Sequence, residues 1–151
     1  MKNKQHHFYI MVLAFSLALW SCKKEDEQPV APVIEYLSLS STQVVQFEET
    51  LQITFSYEDE QGDLGEPDPD TYSLSVKDAR LENADWYHLP PMTPELQPLH
   101  IKGTFTVEIP PLFLLGNGQQ ETTTFKLQIT DRAGNKSNEI ITPEVLIVDS
   151  L

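Results

Sequence analysis

Seven carboxylates fall within thirteen residues of the chain, Glu58-Asp59-Glu60-Gln61-Gly62-Asp63-Leu64-Gly65-Glu66-Pro67-Asp68-Pro69-Asp70, with no lysine or arginine among them. Like charges about 4 Å apart repel by roughly 1 kcal/mol per pair even in water. A hard divalent cation offsets that repulsion, and calcium suits a flexible loop that offers about six to eight oxygens. Asp59, Gln61 and Asp63 stand at alternate positions, and Asp68 and Asp70 follow them. The spacing departs from the helix-flanked calcium loop, because Leu64 occupies the sixth position where glycine is needed and Pro67 and Pro69 interrupt any helix. Two readings follow. In one, Asp59, Gln61, Asp63, Asp68 and Asp70 are calcium ligands; in the other, the loop is a solvated acidic turn that Gly62 and Gly65 bend and the prolines stiffen.

The second residue with distinctive chemistry is Cys22, the single cysteine. One thiol excludes an intramolecular disulfide and a multi-cysteine metal site. Lys2, Lys4, His6 and His7 precede an apolar run from Phe8 to Trp20 that only Ser16 interrupts. A membrane span needs about 20 residues, so this shorter run reads as a cleaved signal peptide covering residues 1–21. Leu19-Trp20-Ser21-Cys22 resembles the lipobox of bacterial lipoproteins, with Trp20 as the departure from its usual pattern. That resemblance implies that the Cys22 thiol takes a thioether-linked lipid and becomes the new N-terminus, carrying two or three acyl chains of the palmitate class. One chain binds a membrane marginally and two hold it stably.

Residues 22–32 begin Cys22-Lys23-Lys24-Glu25-Asp26-Glu27 and continue as a Pro-containing, solvated tether. A lysine followed by acids directly after the lipidated cysteine resembles the export signal of surface lipoproteins in Bacteroidetes-type bacteria. The resemblance implies an outer-membrane protein on the cell surface; the alternative is the periplasmic face, with the acids as a hydrophilic spacer.

Other chemistry is sparse. After Cys22 only His88 and His100 remain, and no Gly-x-Ser-x-Gly turn is present, so no catalytic residues are assigned and a hydrolase is disfavoured. Trp86-Tyr87-His88-Leu89-Pro90-Pro91-Met92 is richer in aromatics than a connector requires, and Phe113 lies in an apolar stretch before Gly116. Trp86, Tyr87 and Phe113 are therefore the candidate contacts for a protein or glycan partner, because rigid rings with a polar edge favour such surfaces. A binding module predicts exposure of Trp86, Tyr87 or Phe113; a structural accessory predicts that all three are buried and that contacts are made through strand edges.

The elements that position these residues have a period of two. Leu51, Ile53, Phe55 and Tyr57 alternate with polar residues, as do Tyr72, Leu74 and Val76, then Phe105, Val107 and Ile109, then Phe125, Leu127 and Ile129. Val33 to Leu39, Val44 to Phe47, and Ile140 to Val148 complete the set. Half-buried strands of this number bury their apolar faces against one another. The prediction is an all-β, seven-stranded antiparallel sandwich over residues 33–151.

Asp131-Arg132-Ala133-Gly134-Asn135-Lys136-Ser137 resembles the hairpin near the end of bacterial immunoglobulin-like domains, and the strand order resembles fibronectin-III and cadherin-like sandwiches. The resemblance implies that the loop joining the second and third strands shares a pole with the last hairpin and the tether, so Asp131 would join Asp59 or Asp63 in the calcium reading.

With 23 acidic residues against 10 basic ones, the net charge is −13; a chain starting at Cys22 keeps 8 basic residues and reaches 8 − 23 = −15. Such charge repels phosphate backbones, so nucleic acid is excluded as a partner. The expected function is a lipid-anchored binding or structural module without catalytic activity, stabilised by calcium in one reading. The alternative is a glycan- or protein-binding accessory subunit of an uptake or adhesion system.

Overall fold

A computed structural model describes residues 30–93 and 99–150. The segment read as a signal peptide, Cys22 and most of the expected tether lie outside the described residues. The chain from Val33 onward is all-β, and its elements follow the period-two pattern. In β3 (Leu51–Asp59), Leu51, Ile53 and Phe55 are fully buried while Gln52 is exposed. In β8 (Phe125–Ile129), Phe125, Leu127 and Ile129 turn inward and Lys126 outward.

Among the described residues, ten strands form instead of seven. They are β1 (Val33–Leu39), β2 (Gln43–Val45), β3, β4 (Leu74–Asp78), β5 (Asp85–Tyr87), β6 (Ile101–Ile109), β7 (Gln120–Thr123), β8, β9 (Ile140–Ile141) and β10 (Val145–Val148). They pair in three ladders, β1-β3-β6, β2-β10-β7 and β5-β4-β8-β9. The pairing is antiparallel except for β2 and β10, which run parallel.

The additional strands have identifiable causes. Residues 140–148 divide around Pro143, which has no N–H to give a ladder. Thr142 spans the break: its hydroxyl accepts from the Phe125 N–H at 3.0 Å, and its own N–H donates to the Phe125 carbonyl at 2.9 Å. The facing run divides likewise at Thr124, giving β7 and β8. The Trp86 segment, outside the seven expected strands, forms edge strand β5 against β4. Tyr72, expected within a strand, precedes β4 and is exposed. Phe47, expected at a strand end, lies beyond β2 with a left-handed φ of 63°.

The inward faces share one core, compatible with a β-sandwich. Ile34, Ile53, Phe55 and Val107 from β1, β3 and β6 meet Leu74, Val76, Leu127 and Ile129 from β4 and β8, with Val145 and Ile147 from β10. Gly103 of β6 stands opposite Tyr57 in the ladder, where a Cβ would collide with the Tyr57 ring; the glycine provides the space for that ring.

Candidate functional site

Asp59 is the last inward position of β3, and Asp131 lies two residues beyond Ile129, continuing the inward series of β8. Strand alternation thus carries both carboxylates to the rim of the core, where they are almost fully buried. Each folds back on its own turn. Asp59 accepts the N–H of Gln61 at 3.3 Å on Oδ1 and that of Asp63 at 2.9 Å on Oδ2. Asp131 accepts the Asn135 N–H at 2.7 Å on Oδ1 and the Asn135 side-chain amide at 2.8 Å on Oδ2. These are the Asx turns expected of aspartates at tight bends.

Asp63 joins the two turns. Its Oδ2 accepts the Ala133 N–H at 3.2 Å, and its carbonyl accepts the Arg132 N–H at 3.2 Å. Its Oδ1 is buried with no hydrogen-bond partner. Burial, then the charges of Asp131 and Asp59, raise the Asp63 carboxyl above its ordinary range. Three of the six proposed calcium ligands are therefore neighbours at this pole. Gln61 contributes a backbone N–H, while Asp68 and Asp70 form a separate exposed turn in which Asp68 Oδ1 accepts the Asp70 N–H at 3.0 Å. Among the described residues, no group of three or more His, Cys, Asp or Glu side chains converges closely enough to hold a metal ion.

The loop itself is built into the fold. Leu64 is fully buried in the core, so one residue of this acidic stretch acts as an apolar anchor. Gly62 and Gly65 have φ of 67° and 81°, and a Cβ on either would strike the backbone of Leu99 or Pro90. The loop contains no cation of its own, and the last hairpin supplies one. The Arg132 guanidinium donates to the carbonyls of Gly65 at 2.7 Å, Gly62 at 3.3 Å and Leu64 at 3.4 Å. The sequence signal was present in the Asp131–Ser137 hairpin, but only the fold brings Arg132 across to the loop.

The aromatic candidates separate. Leu89 is buried beneath the loop, Tyr87 is half-buried on the inward side of β5, and Trp86 on the outward side is 53% exposed. Phe113, 46% exposed, lies at the opposite pole and stacks on Phe47, with parallel rings and centroids 5.8 Å apart. Phe47 is itself 68% exposed. Leu112 beside them is buried and plugs that end of the core, whereas Leu115 is exposed.

Beneath this pole is a polar cluster that sequence reading missed. Asp78, on the inward face of β4, is bound by Arg80 at 2.7 Å and by the Thr123 hydroxyl at 2.5 Å. Arg80 also reaches Glu121 at 2.9 Å and the Phe113 carbonyl at 2.9 Å. Burial pushes the Asp78 carboxyl up, but Arg80 and Thr123 together outweigh it and hold the carboxyl below its ordinary value.

The histidines are apart. His100 Nε2 meets Glu58 Oε1 at 2.8 Å on an exposed surface, and His88 Nδ1 meets the Thr71 carbonyl at 2.9 Å. No protein-family model, curated protein or solved structure matches the chain.

Proposed function

We propose that the protein is a lipid-anchored, non-catalytic binding module, an immunoglobulin-like sandwich tethered through Cys22 to the outer membrane and displayed at the cell surface. The observation that carries binding over a purely structural role is Trp86, a large ring left half in water on the outward side of an edge strand. A structural accessory has every reason to bury that area, since covering an indole gains roughly 25 cal/mol per Å². The immunoglobulin-like reading is supported by the ladder order, which sets β1-β3-β6 apart from β5-β4-β8-β9, and by the hairpin that closes on the acidic loop.

The partner is a glycan or a protein, and the purified protein applied to a glycan array tests the first class. Binding to a defined set of glycans, lost in Trp86→Ala, is the expected outcome. A blank array, or one unchanged by the substitution, removes glycan recognition through this ring.

Calcium is a second reading, and Asp63 favours it: a buried carboxylate oxygen without a partner, beside two further carboxylates, is where a cation would relieve repulsion. Asp63 Oδ1 would be the carboxylate ligand, with water completing the shell and Asp59 and Asp131 lending negative charge from nearby, since the three carboxylates do not converge closely enough to share an ion.

A further inference from the structure

The outward face of β5-β4-β8-β9 concentrates cations on a chain that has few. Six lysines and arginines follow residue 32: Lys77, Arg80, Lys102, Lys126, Arg132 and Lys136. Arg80, Lys102 and Arg132 are committed elsewhere, to Asp78 and Glu121, to Glu58, and to the loop carbonyls. The other three share this face. Lys77 and Lys126 stand directly opposite each other in the β4–β8 ladder, and Lys136 pairs with Thr130, the next outward position beyond Gln128. The neighbouring rung sets Trp86 beside Ser75 and Gln128, and Ile141, 60% exposed, flanks Lys126.

Like charges directly opposite in a sheet are destabilising. Lys126 has an exposed partner in Glu139 at 3.1 Å, while Lys77 makes no ion pair with a described residue. Acids outnumber bases 23 to 10, so a carboxylate opposite Lys126 would be both the commoner residue type and the more stable choice. A lysine pair beside an exposed indole therefore lacks a folding rationale and has a recognition rationale.

We infer that this face docks an anionic polysaccharide, a polymer of hexuronate or sulfated sugars. The repeating unit of such a polymer carries both things the face offers to meet, an apolar pyranose face for Trp86 and a regularly spaced charge for the lysines. An acidic peptide has the charge without the ring face. The rest of the molecule repels polyanions, so the three lysines decide where the polymer lands as well as how strongly it is held. The inference rests on the reading of the protein as a glycan-binding module and specifies its ligand class.

The test is affinity electrophoresis of the full lipidated protein in neutral detergent, through native gels containing polygalacturonate, chondroitin sulfate, neutral dextran or polyglutamate. The expected result is retardation by polygalacturonate or chondroitin sulfate and none by dextran or polyglutamate. Lys77→Gln with Lys126→Gln should weaken retardation about tenfold, as should high salt, two screened contacts being together worth about one decade in affinity. Thermal unfolding checks that the double variant is as stable as the parent.

Retardation by dextran that needs Trp86 and ignores the lysines overturns the anionic class and leaves the glycan-binding reading standing. Retardation by polyglutamate equal to that by the polysaccharides overturns it in favour of an acidic peptide. Polyanion binding untouched by the lysine substitutions overturns the site. No retardation in any gel overturns the inference, and the array described above judges the broader reading independently.

Discussion

At the scale of single residues, partly buried Asp63 and buried Asp78 have opposite electrostatic situations and make opposite predictions. The folded-state pKa of Asp63 lies above its unfolded value, so its charged form opposes folding. Stability therefore falls as pH rises from the ordinary carboxylate range through the raised value. Asp63→Asn should raise the melting temperature in EDTA at neutral pH by about 2–4 °C, because it removes repulsion from Asp59 and Asp131 and keeps an acceptor for Ala133. Millimolar calcium distinguishes the two readings of the cluster. If the Asp63 oxygen holds a cation, calcium raises the parent's melting temperature and leaves Asp63→Asn unmoved; if the carboxylates only anchor turns, neither responds.

Asp78 is the converse case. Its folded pKa lies below the unfolded one, so its contribution is present above about pH 4 and lost as pH falls through the depressed value. Asp78→Ala leaves Arg80 without its nearest carboxylate in a mostly buried site and should cost about 3 kcal/mol in denaturant unfolding. The acid limb of the variant's stability profile should be shallower than the parent's.

At the scale of elements, the final hairpin and the acidic loop behave as one unit, and Arg132 is their clasp. Removing its guanidinium leaves partly buried carbonyls of Gly62, Leu64 and Gly65 without that donor. Arg132→Ala should cost about 1–3 kcal/mol. Amide hydrogen exchange should accelerate across the loop and hairpin, at Asp63, Arg132 and Asn135, before it does so in β3 or β8. Uniform acceleration along the chain would show that the pole unfolds only with the core. The same unit explains why the turn glycines resist replacement: with positive φ, Gly62 lies against the Leu99 backbone and Gly65 against Pro90, so a side chain at either would push the loop off the segments beneath it.

At the scale of the whole molecule, anchoring is the property that organises the proposal. The start of β1 pairs with the end of β3, so Val33 lies at the same pole as Asp59 and the hairpin. A tether entering there leaves Phe47 and Phe113 at the far pole and the Trp86 face along the side. Cells expressing Cys22→Ser should incorporate no labelled palmitate into the protein and should release it from the membrane or accumulate it with the leader uncleaved. Retention identical to the parent would leave the thiol without an anchoring role. On this proposal the −15 of a chain starting at Cys22 would add long-range repulsion from an anionic surface and hold the domain off the membrane at low salt.

Much of this architecture follows from local pattern. Period-two alternation in residues 51–55 and 125–129 determined which side chains form the core, because a strand offers each residue only one of two faces. The Asp131–Asn135 bend was equally legible, since a short side chain closing on nearby amides is a local event, whereas the acidic loop read as solvated or calcium-binding and instead buries Asp59 against its own turn. What lay in pairing across the chain was not. Nothing near residue 60 in sequence announces that its compensating cation is Arg132, that Leu64 is core, or that Lys77 meets Lys126. Nor does it say that Trp86 belongs to a strand whose free face looks outward. Those facts depend on register and strand order, which are set when distant segments bury their apolar faces together, and only the tertiary structure decides them.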